Sequence, residues 1–130
     1  MTEPTAPGDD WALPPRTNEP YDAPSAGALI EAVRAYLADD LMPRSSGADR
    51  WVLRIAANAL SIAAREVDLG AGHREAHAER LSRFGAADDA ELSALIRSGA
   101  LDDRWDEVKA AVEATVSDKL DVASPAHRVG

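Results

Sequence analysis

The sequence predicts an all-α protein, a compact bundle of four to five antiparallel helices preceded by a disordered, proline-rich N-terminal tail. Several segments repeat apolar residues at three- and four-residue spacing, as one face of a helix does. No segment alternates β-branched or aromatic residues with polar ones between turn signals, as a strand does. The 130 residues are enough for one domain. We expect the tail over 1–19, the helical domain over 20–126 and a short C-terminal tail over 127–130.

The N-terminal tail is predicted from its proline content, because six of the eight prolines fall within the first 24 residues. Proline lacks an amide hydrogen and blocks helix formation, so this segment is expected to be extended and mobile. Trp11 and Leu13 are its large apolar residues. Trp11 belongs either to a solvated leader or to a segment that docks on this domain or on a partner.

The first two predicted helices account for the region from Pro24 to Gly72. Leu29, Val33 and Leu37 share a face of the first helix, Asp22 or Ser25 is its N-cap, and Pro43 ends it. After a loop over 44–49, a second helix is expected from Asp49 to Leu69, where Gly70 and Gly72 stop it. At about 20 residues and 30 Å it would be the longest, central helix. Its predicted apolar face consists of Trp51, Ile55, Ala59, Ile62 and Leu69, and further alanines allow close helix approach.

Three further helices are predicted beyond Gly70. A polar third helix covers 71–84. The fourth covers 88–98, with Asp88 and Asp89 at its start, Glu91 in the first turn and Gly99 just past its end. The fifth covers 102–122 and repeats Trp105, Val108, Val112, Val116 and Leu120 before Pro125 closes it.

Composition and charge exclude several classes of function. With 23 acidic and 14 basic residues the net charge is -9, which argues against nucleic acid and anionic membranes as partners. No cysteine is present, so disulfides and cysteine-based metal centres are excluded. No apolar run is long enough to span a bilayer and no secretory signal is visible, so a cytoplasmic protein is expected. Alanine supplies much of the apolar content, which predicts a thin core.

No motif predicts catalysis by this chain alone. The sequence has no glycine-rich phosphate loop, no serine elbow and no zinc-protease histidine pair. We therefore assign no catalytic residue, no metal ligand and no cofactor. The alternative is a small metal-dependent protein in which His73 and His77, four residues apart on a helix, bind a metal with Glu66 or Glu75.

A polar stripe along the second helix is the strongest candidate binding feature. Its members follow one another at spacings of four, four, three and four residues: Arg50, Arg54, Asn58, Ser61 and Arg65. Arginine binds carboxylates and phosphates in a bidentate manner, so the stripe predicts either an anionic ligand or partner, or internal ion pairs. Asn58 is unfavourable inside a helix, which predicts its burial against another helix or against a second protein. The predicted partner-facing set is Arg50, Arg54, Asn58, Glu66 and Lys119, with Tyr21 and Trp51.

Three segments, in this order along the chain, resemble a family of small bacterial proteins of unassigned domain type. They are PYDAPSA at 20–26, RIAANAL at 54–60 followed by Arg65 and Glu66, and DKLDVASP at 118–125. The family's members are found beside an aminoglycoside-phosphotransferase-like kinase and an acyl-CoA dehydrogenase. The chain also resembles the small accessory subunit of the 4-hydroxyacyl-CoA kinase in levulinate catabolism. Ser124 departs from the family's Ala-Asn-Pro pattern, which changes a turn residue.

The resemblance implies a noncatalytic accessory subunit that binds and supports such a kinase, with contact to acyl-CoA through the complex. The kinase would supply the nucleotide, the magnesium and the base that phosphoryl transfer requires. The chain would stabilise the kinase or line the channel for the CoA arm. A self-associating helical adaptor of another role is the remaining alternative.

Overall fold

The computed structural model describes residues 18–127, which form four α-helices with short 3₁₀ and π-helical turns. The helices are α1 (Ala26–Ala35), α2 (Gly47–Ser82), α3 (Asp89–Arg97) and α4 (Trp105–Ala123). Across this range no strand is formed, apart from a single bridge between Asn18 and Tyr21. The all-α prediction is confirmed. The tail predictions for 1–17 and 128–130, Trp11 included, lie outside the described residues.

Local capping signals determine where α1 and α3 begin. The Ser25 hydroxyl accepts from the Ala28 amide at 3.2 Å, so Ser25 rather than Asp22 is the N-cap of α1. Asp88 caps α3 in the same way, because its carboxylate accepts from the Glu91 amide at 2.8 Å. Gly99 follows α3 with φ of 81°, the left-handed conformation that glycine adopts without strain.

The predicted end of the first helix is confirmed, but its last turns are not α-helical. Tyr36–Leu41 form a π-helical segment in which the Met42 amide donates to the Leu37 carbonyl, and Met42–Arg44 form a 3₁₀ turn. Pro43 has no amide hydrogen to donate to the carbonyl four residues earlier, which disrupts α-helical bonding at this point.

The predicted break at Gly70 and Gly72 is wrong, because α2 continues through both glycines for 36 residues, about 54 Å. The second and third predicted helices are therefore one. Among the described glycines, only Gly47, Gly85 and Gly99 have positive φ, so neither Gly70 nor Gly72 adopts the conformation that ends a helix. Contacts from α4 lie on both sides of this region, at Arg65 and at Arg80.

The helices α1 and α4 pack on successive parts of α2. Gly27 of α1 approaches Asp68 so closely that a Cβ atom would collide with the aspartate. Ala57 and Ala64 of α2 are buried, as the predicted close helix approach through alanines requires. At the other end Phe84, Leu101 and Val108 form the main buried cluster, covered by Leu92, Leu95, Ile96 and Ala111. None of the helices in 18–127 is long and apolar enough to cross a membrane.

The core is thin, as the alanine content predicts. The buried apolar residues in 18–127 number seven, and three of them are alanines. The predicted apolar face of the second helix is not its buried face, because Trp51, Ile55 and Leu69 are exposed while Ala57 and Ala64 are buried. Small residues permit the closest helix packing, so they occupy the contact with α1 and the large side chains remain outside.

Candidate functional site

Charged side chains of α2 and α4 line an open groove of about 530 Å³, hereafter the polar groove. The two helices run antiparallel here, with Arg80 opposite Thr115 and Arg65 opposite the end of α4. The ionisable residues that line it are Glu66, His73, Arg74, His77, Arg80, Asp89, Asp118 and Lys119.

Arg80 is the central contact between the two walls of the polar groove. Its Nη2 donates to Asp118 Oδ2 at 2.8 Å, and its Nη1 donates to the Thr115 hydroxyl at 3.4 Å. The Thr115 hydroxyl also donates to the Ala111 carbonyl within α4. Arg80 thus fixes the orientation of the Asp118 carboxylate from α2.

His77 connects α2 to the start of α3. Its Nε2 lies 2.8 Å from Asp89 Oδ1, and its Nδ1 lies 3.4 Å from the Thr115 hydroxyl. Both ring nitrogens therefore have protein partners. Within the described residues, the structure does not group His73 and His77 with Glu66 or Glu75, as the metal hypothesis requires.

His73 instead faces two aspartates of α4. Its Nε2 lies 3.8 Å from Asp118 Oδ1 and 3.6 Å from Asp121 Oδ2. One donor atom from each of the three residues can be chosen so that all lie within 4.8 Å of one another. All three side chains are partly buried, at 25%, 23% and 19% exposure respectively.

The predicted arginine stripe divides into an exposed part and a structural part. Arg50, Arg54 and Asn58 are exposed, and in the described range neither arginine has an ion-pair partner. Arg65 turns inward, where its Nε donates to the Val122 carbonyl at 2.8 Å. Ser61 donates to the Ala57 carbonyl within α2. The burial of Asn58 against another helix is therefore excluded, and its burial against a second protein stays a prediction.

Large apolar side chains lie beside the exposed arginines. Trp51 is 65% exposed, and Val52 and Ile55 are exposed as well. At about 100° per residue, these residues occupy one continuous side of α2 with Arg54 and Asn58. We call this surface the docking face, formed by Arg50, Trp51, Val52, Arg54, Ile55 and Asn58.

The other predicted site residues lie elsewhere. Glu66 and Lys119 line the polar groove, on opposite helices. Tyr21 is exposed in the segment before α1, where its amide donates to the Asn18 carbonyl at 2.6 Å. The structure therefore separates the seven predicted residues into three places rather than one site.

One ion pair on α1 shows a clear electrostatic effect. Arg34 hydrogen-bonds both carboxylate oxygens of Glu31 at 2.8 Å. This hydrogen bond holds the pKa of Glu31 below its usual value and raises the pKa of Arg34. The pair lies at the α1–α2 surface near Arg65 and Asp68, away from the polar groove.

A family model described as domain of unknown function (DUF6285) matches residues 43–127 of the chain. The chain belongs to the DUF6285 family. The matched region begins just before α2 and includes α2, α3 and α4. Searches of the curated proteins and of the solved structures give no match.

The DUF6285 region contains both the docking face and the polar groove, whereas Tyr21 and α1 precede it. Within this region, the sequence interpretation did not select Arg80, Asp118 or Asp121 as site residues. The three-residue spacing of Asp118 and Asp121 places both on one side of α4. This spacing is the sequence signal that could have indicated them as a pair. Their meeting with His73 depends on the antiparallel packing of α4 along an unbroken α2.

Proposed function

We propose that this DUF6285 protein is a noncatalytic accessory subunit that binds and supports an aminoglycoside-phosphotransferase-like kinase acting on hydroxyacyl-CoA in acyl-CoA catabolism. The observation that carries the proposal is the docking face, on which Arg50 and Arg54 have no ion-pair partner within 18–127 and Trp51 is mostly exposed. The sequence resemblance supplies the identity of the partner.

The composition of the docking face supports a protein partner. Protein interfaces are enriched in tryptophan and arginine, and these residues supply many of the side chains whose loss weakens binding most. Trp51 has a large apolar area to bury, and Val52 and Ile55 extend it along α2. Arg50 and Arg54 lie at the edge of this area, where they can meet carboxylates of the kinase or phosphates of bound CoA.

The chemistry of phosphoryl transfer supports a division of labour between two chains. A kinase positions a nucleotide, magnesium and a base around the transferred phosphoryl group. The present sequence has no phosphate-binding glycine loop, and we assign the transfer to the partner. This chain would then act by stabilising the kinase or by completing its CoA-binding channel.

Co-expression with an aminoglycoside-phosphotransferase-like kinase from the same genome tests the proposal. We expect a stable complex, and we expect Trp51→Ala and Arg54→Ala to raise its Kd by about 30-fold, the equivalent of about 2 kcal/mol. The matched controls are Trp105→Ala and Arg97→Ala, which alter exposed residues of the same types on other helices. Circular dichroism should show unchanged helical content in all four variants.

Three results would count against this proposal. Absence of a complex, combined with full kinase activity without this chain, would exclude an accessory role. Equal weakening by the docking-face and control variants would remove the docking face as the contact. Loss of helical content in Arg54→Ala would show that the exposed arginine stabilises the fold instead.

A self-associating helical adaptor is a second candidate, and the exposed apolar side chains on α1 and α4 favour it. Leu29 and Val33 on α1, and Val112 and Val116 on α4, leave much of their surface in solvent. Light scattering combined with a CoA titration separates the candidates. Concentration-dependent oligomers of the isolated chain, without kinase or CoA binding, would favour the adaptor.

A further inference from the structure

We propose that His73, Asp118 and Asp121 form a binding site for a divalent transition-metal cation of the zinc or manganese type, which links α2 to α4. The site is distinct from the docking face and does not depend on the kinase partner. It also differs from the histidine pair predicted by sequence, because His77 contributes no ligand.

The distances around His73 match a bridging cation better than a hydrogen bond. Zinc lies about 2.0–2.2 Å from nitrogen and carboxylate oxygen ligands, so two ligands in tetrahedral geometry are about 3.4 Å apart. His73 Nε2 lies 3.6 and 3.8 Å from its two carboxylate oxygens. The directly paired His77 and Asp89, on the same groove, are 2.8 Å apart. The two His73 separations are therefore closer to that of two ligands sharing a cation than to that of the directly paired His77 and Asp89.

The surrounding contacts orient the ligands. Arg80 binds Oδ2 of Asp118, which leaves Oδ1 directed toward His73. Such hydrogen bonds from neighbouring residues fix ligand orientation in metal sites. Asp118 and Asp121 are three residues apart on α4, which places both carboxylates on the side of the helix that faces His73.

The donor set and the open groove indicate the type of metal and its coordination. An imidazole with two carboxylates suits zinc and manganese, whereas magnesium prefers oxygen ligands and retains its waters. His73 and Asp118 line the polar groove, so a cation held by three protein ligands would keep a further position accessible from the groove. Lys119 and Arg74 also line it, and they can meet an anionic ligand of the metal.

Isothermal titration of the metal-free, tag-free full chain with ZnCl₂, MnCl₂ and MgCl₂ tests the site. We expect one Zn²⁺ per chain with a Kd of about 1 µM or tighter, and no comparable heat from Mg²⁺. His73→Ala and Asp121→Asn should each weaken Zn²⁺ binding by at least about 10-fold. His127→Ala, which removes an exposed histidine at the end of the described range, is the matched control and should leave binding unchanged.

Thermal unfolding separates a metal site from an ion pair. In a metal site, Zn²⁺ raises the midpoint of the unmodified chain and of His127→Ala, and not that of His73→Ala. If His73 is only a protonated partner of the two aspartates, His73→Ala lowers the midpoint while Zn²⁺ shifts none of the proteins. That result, absence of Zn²⁺ binding, or equal loss in His127→Ala would overturn the proposal.

Discussion

Arg54 and Arg65 belong to the same stripe of α2, but only Arg65 has a structural contact. Its guanidinium donates to the Val122 carbonyl near the C-terminal end of α4, where helix carbonyls lack helical partners. We predict that Arg65→Met lowers the free energy of unfolding by about 1–2 kcal/mol. Arg54→Met should change it by less than about 0.5 kcal/mol. Urea unfolding of both variants measures the difference, and equal losses would contradict the assignment of Arg54 to a partner.

Val108 has the most completely buried large side chain within 18–127, at 1% exposure. It packs against Phe84 and Leu101, so truncation leaves a cavity that these neighbours cannot fill without moving. We predict a loss of about 2 kcal/mol for Val108→Ala. Val112, one turn later and 43% exposed, is the matched control, and Val112→Ala should cost much less. Equal losses in denaturant titrations would show that the two positions are not distinguished by burial.

At the level of the elements, the continuity of α2 through its two glycines has a measurable consequence. Gly72 is exposed, and a Cβ added there meets no atom within 4 Å. Because glycine inside a helix costs backbone entropy, Gly72→Ala should raise the free energy of unfolding by about 0.5–1 kcal/mol. Gly99→Ala should lower it by about 1 kcal/mol or more, since Gly99 has positive φ. If Gly72→Ala instead lowers the free energy of unfolding, a helix end at Gly72 would be indicated.

Capping and breaking signals explain why some elements were predicted from sequence and others were not. Ser25, Asp88, Gly99 and Pro43 act on backbone groups within one turn, so their effects follow from local sequence. Gly70 and Gly72 carry an equally strong local signal, but the packing of α4 along α2 overrides it. The polar groove is formed by that packing and not by local sequence. The sequence therefore predicts Glu66 and Lys119 as site residues but not the residues that surround them. The merging of two predicted helices and the grouping of His73 with Asp118 both depend on tertiary contacts.

For the whole molecule, charge and apolar surface are unevenly distributed. Part of the net charge of -9 comes from the first 24 residues, which hold five acidic residues and one basic residue. In the described part of the chain, twelve large apolar residues are exposed while the buried apolar set contains seven residues. Covering these exposed side chains on a partner would add apolar burial to that of the small core.

Binding of the proposed kinase should stabilise the entire fold, because a partner that binds only the folded state adds its binding free energy to folding. With the kinase at 100 times its Kd, we predict about 2.7 kcal/mol of added stability. Hydrogen-exchange mass spectrometry can follow peptides of this chain within the mixture. The most protected amides of α2 and α4 should exchange about 100-fold more slowly with the kinase present. Trp51→Asp is the control, since it should exchange like the unmodified chain alone and show no slowing with the kinase. Unchanged exchange of the Phe84 and Val108 region in the unmodified complex would contradict the prediction.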